Sequence, residues 1–275
     1  MKRIFIAGNA DKQGCKRAVE KLKTYLNGKA EIVGVDLARN ISLPETQIDL
    51  LISLGGDGSM LNLVNDVIAR DLPIMGINFG RMGFLTAAID SELENIMNAY
   101  LNDKTEEFGR SILKLEYESE NGNVQKYALN DVVIASPDLA RVTSLYVLVS
   151  DEPLFKLRGD GLIISTPTGS TAHSLSAGGS LVDPRLDALL LTPLSPQSLS
   201  SRPIIVRPTA HIEVGVLKDE ASPDILCDGL HAGLLNKEKK INVSVSDKQL
   251  RIVQPKDFRF FHRLREKLGW SESFR

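Results

Sequence analysis

Cysteine is scarce in this chain: 275 residues hold only two, Cys15 and Cys227, far apart in the sequence. Neither a disulfide framework nor a zinc-ligand spacing follows from them, and a reducing, cytoplasmic setting is the expectation. Neither sign of charge dominates, with 33 basic against 35 acidic residues, so the field typical of nucleic-acid and anionic-membrane binders is missing. No apolar run approaches the roughly 18 residues of a membrane span. The opening "MKRIFIAGNA" has too short an apolar stretch for a secretion signal. The four histidines, His173, His211, His231 and His262, are scattered and form no metal pattern. Internal repeats, low-complexity tracts, a Walker A loop and a Rossmann glycine fingerprint are all lacking; "GNADKQG" has the wrong spacing for the last. These absences predict partners other than nucleic acid and membranes.

What is present is an ordinary globular composition, 43% hydrophobic and 25% charged, on a chain long enough for one large domain or two ordinary ones. Up to about residue 100, short apolar runs alternate with helical spacing. Residues 3–7, 31–35, 50–54 and 73–77 read as strands, 37–48 as a loop. Cys15, Ala18, Val19, Leu22, Tyr25 and Leu26 recur at helical spacing, as do Met60, Leu61, Val64, Val67 and Ile68. That alternation predicts a parallel sheet flanked by helices.

Beyond it the texture changes to period two: Leu113, Leu115 and Tyr117 alternate with Lys114, Glu116 and Glu118, "ENGN" supplies a turn, and 124–134 resumes the strand pattern. Further strands are expected at 143–149, 154–157, 162–165, 204–206, 211–217, 241–245 and 250–253. Near the end, Phe258, Phe261, Leu264 and Leu268 return to helical spacing. The expectation is an α/β N-terminal domain with a parallel sheet (1–105) and a C-terminal all-β, sandwich-like domain (106–255). A final helix (256–275) packs back on the first domain.

Residues 51–61, "LISLGGDGSML", place one carboxylate, Asp57, in a bend after a strand apolar enough to be buried on both faces. The carboxyl edge of a parallel strand is where open α/β sheets take ligands. Gly55, Gly56 and Gly58 leave main-chain amides open to phosphate oxygens, and a helix starting near Ser59 adds its positive end. A carboxylate repels phosphate, so Asp57 suits a magnesium ion or the proton of an attacking hydroxyl, which is phosphoryl-transfer chemistry. The competing reading is a plain tight turn, since Asp also favours turns and helix N-caps.

The next strand ends in a second glycine loop, "GINFGRMGFL" at 76–85. There Arg81 reads as a phosphate contact or a surface cation, and Phe84 as a platform for a planar ring or a core aromatic. "RGDGLIISTPTGSTAHSLSAGG" at 158–179 is crowded with hydroxyls and glycines from Ser165 to Ser176. It has too few apolar residues for ordinary core and too few charges for a solvated loop, and it suits a purine edge and ribose oxygens. Asp160 suits sugar hydroxyls or an amide; His173 reads as packing or ring stacking. Asn130 and Asp131 are adjacent in a β pattern, so a regular strand points them to opposite faces and a bulge or strand end is required to aim both at one ligand. "LTPLSPQSLSSRP" at 191–203 reads as a polar crossover loop.

Taken in order, "GGDGS", "GINFGRMGFL", "LNDVVI", the 158–179 strip, "LTPLSPQSLSSRP" and "CDG" resemble the NAD kinase family from about residue 50 onward. The resemblance implies phosphorylation of the adenosine-ribose 2′-hydroxyl of NAD by ATP or another donor with a divalent metal, magnesium by expectation. It implies NAD bound between an α/β and a β-rich domain. By motif, Asp57 falls on the proton acceptor, with Gly58 beside the same ligand. Asn130 and Asp131 fall on the pair that holds ribose hydroxyls, and Phe84 near the adenosine. Arg158 and Asp160 fall on the nicotinamide side, and Arg141 where a basic or imidazole side chain is frequent. Thr168 and the run Thr171, Ala172, His173, Ser174, Leu175 and Ser176 surround the adenine. Gly55, Gly56, Gly58 and Arg81 are left for the phosphate donor. Family members form dimers and tetramers, and one subunit can complete another's site. Four departures stand out: Ser59 for Thr, Asp131 for Glu, His173 for Tyr, and Leu230 for Gln. Rival readings are a lipid or sugar kinase sharing only the GGDG bend, and a non-catalytic dinucleotide sensor.

Overall fold

The computed structural model describes residues 1–12, 14–38, 41–120, 122–138, 142–217 and 222–270. These divide into two compact units, 1–109 with 250–275, and 110–249. Residues 250–255, grouped by sequence with the β-rich region, therefore belong to the first unit.

The first unit opens with β1 (Lys2–Gly8), α1 (Cys15–Leu26), β2 (Ala30–Asp36) and β3 (Leu50–Leu54). Next come α2 (Asp57–Leu61), α3 (Val64–Ala69), β4 (Ile74–Asn78), the short β5 (Ala88–Ile89) and α4 (Leu93–Leu101). The strands pair in parallel in the order β2-β1-β3-β4. Every residue of β3 is buried, as a central strand of a doubly covered sheet requires. Helix α1 turns Cys15, Ala18, Val19, Leu22 and Leu26 inward. Helix α4 turns Leu93, Ile96, Met97 and Tyr100 inward, a helical spacing that the sequence reading passed over. The single helix expected over Met60–Ile68 is instead two short ones. It begins at Asp57 rather than near Ser59, and a tight Leu63 N–H to Met60 C=O bond closes the first.

The chain continues with β6 (Thr105–Ser119), β7 (Gly122–Ala128), β8 (Asp131–Ala135), β9 (Thr143–Val149), β10 (Glu152–Gly159) and β11 (Gly161–Ser165). A 3₁₀ turn (Thr168–Thr171) and α5 (His173–Ser176) follow, then β12 (Leu189–Leu194), β13 (Ile204–Val206), β14 (Ile212–Val216), β15 (Asp224–Cys227), β16 (Leu230–Leu234) and β17 (Lys240–Pro255), and α6 (Phe260–Leu268) closes the described chain. In the second unit one antiparallel sheet runs β13-β12-β11-β8-β15-β16, and β10-β9-β14-β17 are antiparallel neighbours in another. Alternate residues of both, such as Val132, Ile134, Leu162 and Ile164 against Leu145, Val147, Ile212, Val214, Ile241 and Val243, share one core. This is the sandwich pattern of two packed sheets. The expected fold class, a parallel α/β unit followed by an antiparallel β unit, is what the chain adopts.

Four segments depart from the sequence reading. "LTPL", expected to begin a crossover loop, is the buried second half of β12, whose Pro193 the antiparallel ladder accommodates beside Leu162. The expected strand 124–134 is broken between β7 and β8. The separate strands 241–245 and 250–253 are one, β17, which ends with Ile252 beside Ile74 of β4. Helix α6 does not bury Phe261, which is 57% exposed; Leu264 is its buried residue and Phe260 meets Phe84.

Candidate active site

Three loops leave the carboxyl ends of neighbouring parallel strands in the first unit: one from residue 9 after β1, 55–56 after β3 and 79–87 after β4. Asp57 is the first residue of α2, partly exposed. Its Oδ2 accepts the Phe84 N–H at 2.8 Å and its Oδ1 the Leu85 N–H at 3.0 Å. Charge-assisted bonds to two successive amides fix the plane of the carboxylate while leaving lone pairs on each oxygen. Gly83 makes that possible, because a Cβ there would lie 2.0 Å from Asp57 Oδ1. The second glycine loop thus serves the first: its amides cradle Asp57, a partnership that sequence spacing does not reveal.

Gly55 sits at φ 141°, and a Cβ on it would meet Ser59 Oγ at 2.1 Å and Lys12 Nζ at 3.0 Å. Its own N–H is spent on Ile77 O at 2.8 Å. Gly56 is partly exposed and Gly58 fully so. The five-residue α2 is too short for a substantial macrodipole, so the positive charge at this edge comes from side chains. Lys12 supplies it: its ammonium donates to Ser59 Oγ at 2.5 Å. Sequence reasoning set the 8–14 segment aside for its wrong glycine spacing and missed this lysine; a cation in the loop after the first strand was the available signal. Arg81 is exposed on the same loop as Phe84. Phe84 is half-buried, its ring centroid 6.4 Å from that of Phe260, with Lys267 Nζ 5.9 Å from it.

In the second unit, "LND", "STPTG" and "CDG" meet at one corner. Asp228, at φ 49°, accepts the N–H groups of Leu129 (2.7 Å), Asn130 (2.7 Å) and Asp131 (3.2 Å). The Asp228 N–H donates to Asp131 O at 2.9 Å, Thr166 Oγ1 to Leu129 O at 2.6 Å, and Thr166 N–H to Asn130 O at 2.9 Å. This bracket ends β7 and starts β8 at Asp131, the strand end that adjacent Asn130 and Asp131 require. Asp228 was not singled out from sequence; the "CDG" triplet after an apolar strand was its only mark. Asp131 is 4% exposed. Burial, and then the Asp228 charge, push its carboxyl up to about 7. Burial raises Asp228 to about 6 against three amide bonds that pull it down.

The hydroxyl strip is more buried than expected. Gly161–Ser170 is buried throughout; the Thr166 and Ser170 hydroxyls are spent inside the unit, while buried Ser165 Oγ has no hydrogen-bond partner. Ser170 Oγ donates to Pro167 O, and Ser174 Oγ pairs with Thr192 Oγ1 at 2.9 Å. Thr168 is 7% exposed and Ser174 fully buried. Thr171, Ala172 and Leu175 are half-buried; His173 and Ser176 are exposed. Arg158 and Asp160 lie elsewhere. In the β8–β11 pairing Ser165 faces Asp131 and Gly161 faces Ala135, so Asp160, just before β11, is at its far end, roughly 17 Å away at ~3.4 Å per residue. Arg158 is exposed and Asp160 half-buried. Arg141 lies outside the described residues. Among the described residues no group of three or more His, Cys, Asp or Glu side chains could hold a metal ion, and no helix is long and apolar enough to cross a membrane.

Two family models match the chain: the ATP-NAD kinase N-terminal domain over residues 6–105 and the ATP-NAD kinase C-terminal domain over 129–255. The chain belongs to the NAD kinase family. Among similar curated proteins, an NAD kinase of Teredinibacter turnerae is 37% identical over 98% of this chain and 96% of its own, and one of Legionella pneumophila (strain Corby) is 38% identical over 81% and 76%. Among solved structures, an NAD kinase from Archaeoglobus fulgidus in complex with ATP is 25% identical with a TM-score of 0.76, covering 98% of this chain and 99% of that one. Yeast NADH kinase complexed with NADH, at 24% identity, shares the fold with a TM-score of 0.87 over 100% of this chain and 89% of its own.

Proposed function

We propose that the protein transfers the terminal phosphoryl group of ATP or a related donor to the adenosine-ribose 2′-hydroxyl of NAD, giving NADP. The observation that carries the reaction class is Asp57. Its carboxylate is held rigidly by the Phe84 and Leu85 amides at the carboxyl edge of the sheet, with the Lys12 ammonium and a bare glycine bend beside it. As the hydroxyl oxygen bonds to phosphorus, its proton passes to Asp57 and the donor's bridging oxygen leaves with the remaining phosphates. A largely dissociative transition state asks more of positioning than of base strength. Lys12, Arg81 and the backbone around Gly56 and Gly58 are assigned to the donor phosphates.

A divalent ion fits this donor set only as a passenger on the polyphosphate, with Asp57 as at most one protein ligand, the usual magnesium arrangement. It supplies charge neutralisation at the transferring group when bound. Asn130 and Asp131 are assigned to the ribose. The half-buried backbone and exposed side chains of 171–176 are assigned to the adenine, His173 stacking where the family has Tyr. Arg158 and Asp160, at the other end of β11, are assigned to the nicotinamide side of a neighbouring copy's ligand in a homodimer or homotetramer working in the cytoplasm. One assay tests the proposal. The purified chain is given NAD or NADH with a panel of donors, and NADP or NADPH is read directly; binding of NAD without product from any donor refutes it in favour of a sensor.

A further inference from the structure

The segment Gly83–Ala87 has its polar main chain bonded almost group by group. Gly83 N–H donates to Thr86 Oγ1 at 2.9 Å, Phe84 and Leu85 N–H to Asp57, and Ala87 N–H to Gly76 O at 2.8 Å. Two of its carbonyls are taken by the C-terminal segment. Gln254 Nε2, on a side chain only 1% exposed, approaches Leu85 O at 3.4 Å. Arg263 Nη1, from α6, donates to Thr86 O at 2.6 Å. The Arg263 guanidinium lies 4.5 Å from the Phe258 ring centroid, and Phe260 on the same helix packs its ring against Phe84. A connection therefore runs from α6 through the Thr86 carbonyl, and from the end of β17 through the Leu85 carbonyl, to the amides that grip Asp57.

We propose that Arg263, assisted by Gln254, is a positioning residue for Asp57, acting through the Phe84–Thr86 main chain; this rests on the reading of Asp57 as the proton acceptor. The polar partners make a purely structural staple a poor description. Arg263 is half-buried; withdrawing even part of a guanidinium from water costs free energy, and a hydrophobic residue would fasten the helix without that cost. Burial pushes the Arg263 guanidinium down, and of the carboxylates that pull it back, Asp57 is the strongest, ahead of Glu266 and Glu92. The cation thus lies in the field of the carboxylate whose cradle it holds. Without the Thr86 carbonyl contact the loop gains freedom, the two amides part from Asp57, and the carboxylate loses its fixed plane. Misplacement of a reacting group by about an ångström costs on the order of a hundredfold in rate.

The experiment uses the full chain as Arg263→Ala, Arg263→Lys and Gln254→Ala, each alone and in an Asp57→Asn background. Expected for Arg263→Ala is a kcat about 30-fold lower with the KM for NAD within about twofold, a partial recovery in Arg263→Lys, and a loss under about twofold once Asp57 is already Asn. Exchange of the Phe84 and Leu85 amides should quicken at least about fivefold in Arg263→Ala, with the β4 amides unchanged. An unaltered kcat, or the same fold loss in both backgrounds, overturns the proposal. Should Arg263→Ala fail to fold, unaltered Phe84 and Leu85 exchange in both Arg263→Lys and Gln254→Ala overturns it as well. Near-normal turnover in Asp57→Asn alone would instead sink the reading of Asp57, and amide exchange then decides the connection by itself.

Discussion

Asp57 and Asp228 are both carboxylates bound by consecutive main-chain amides, yet their surroundings assign them opposite work. Asp57 accepts two amides at a partly exposed sheet edge, so part of its bonding capacity still faces outward. Asp228, half-buried as well, accepts three amides, two of them on one oxygen, so less of its bonding capacity is left over. Its product is the shape of the Leu129–Asp131 turn, which delivers Asp131 to the start of β8. Amide cradles therefore hold carboxylates in either place, and the acceptor capacity left after the amides are served separates the two. The same contrast explains the protonation of the corner. Desolvation raises both Asp131 and Asp228, and the Asp228 charge adds to the shift at Asp131, so each is harder to ionise than an ordinary carboxyl.

The comparison breaks most sharply at Asp57. Asp57→Asn keeps the side chain's size but replaces the proton acceptor and turns an NH2 donor toward one of the two cradle amides. We expect turnover to fall about a thousandfold, within the range for a general base, with the NAD dissociation constant, read calorimetrically, little changed; near-normal turnover defeats the assignment. Asp228→Ala should act through structure instead. It leaves buried amides without partners, at roughly 1–3 kcal/mol for an unsatisfied group, so chemical denaturation should show a loss of about 3 kcal/mol and NAD binding should weaken with it. A stable variant with unchanged affinity would show that the bracket does not set the ribose site.

Lys12→Ala should raise the KM for the phosphate donor by about tenfold, in line with the loss of one charge-assisted contact, and leave NAD affinity alone; an effect on NAD instead would move Lys12 out of the donor site. A further effect concerns pH. Asp131 and Asp228 titrate near 7 and near 6 in the fold, above the 3.8 of a free carboxyl. Between those limits the folded state holds more protons than the unfolded one. The pair's contribution to stability is therefore full below about pH 4 and declines as pH rises to about 7, at up to ~1.4 kcal/mol per pH unit for each proton. Asp131→Asn should flatten that decline in urea melts at pH 5, 6 and 7. It should also remove a rise in NAD affinity across the same range, since only ionised Asp131 accepts from both ribose hydroxyls; equal slopes in the two proteins would refute the assignment.

Much of the fold was legible because hydrophobic periodicity is a local property. Strand β3, all buried, and the alternation along β6 could be read directly from residue order. Elements whose pattern mixes signals were not: β12 hides behind Pro193 and its polar tail, and α6 presents Phe260 rather than Phe261 to Phe84. At the site, the glycine bend and Asp57 stood out because their composition is unusual. Lys12, Asp228 and Arg263 did not, because each matters only through a partner 47 or more positions away in the chain: Ser59, the Leu129–Asp131 turn and Thr86, at separations of 47, 97 to 99, and 177.

By itself the sequence determined the two kinds of layer, the loops at the sheet edge and the residue types fit for phosphoryl transfer, since these depend on neighbours along the chain. The tertiary structure decided that the second glycine loop grips Asp57, that the hydroxyl strip spends much of its polarity inward, and that Arg158 and Asp160 sit a strand's length from Asp131. Those outcomes follow from which backbone groups remain unpaired when the strands close, and a buried donor or acceptor must find a partner wherever the fold brings one.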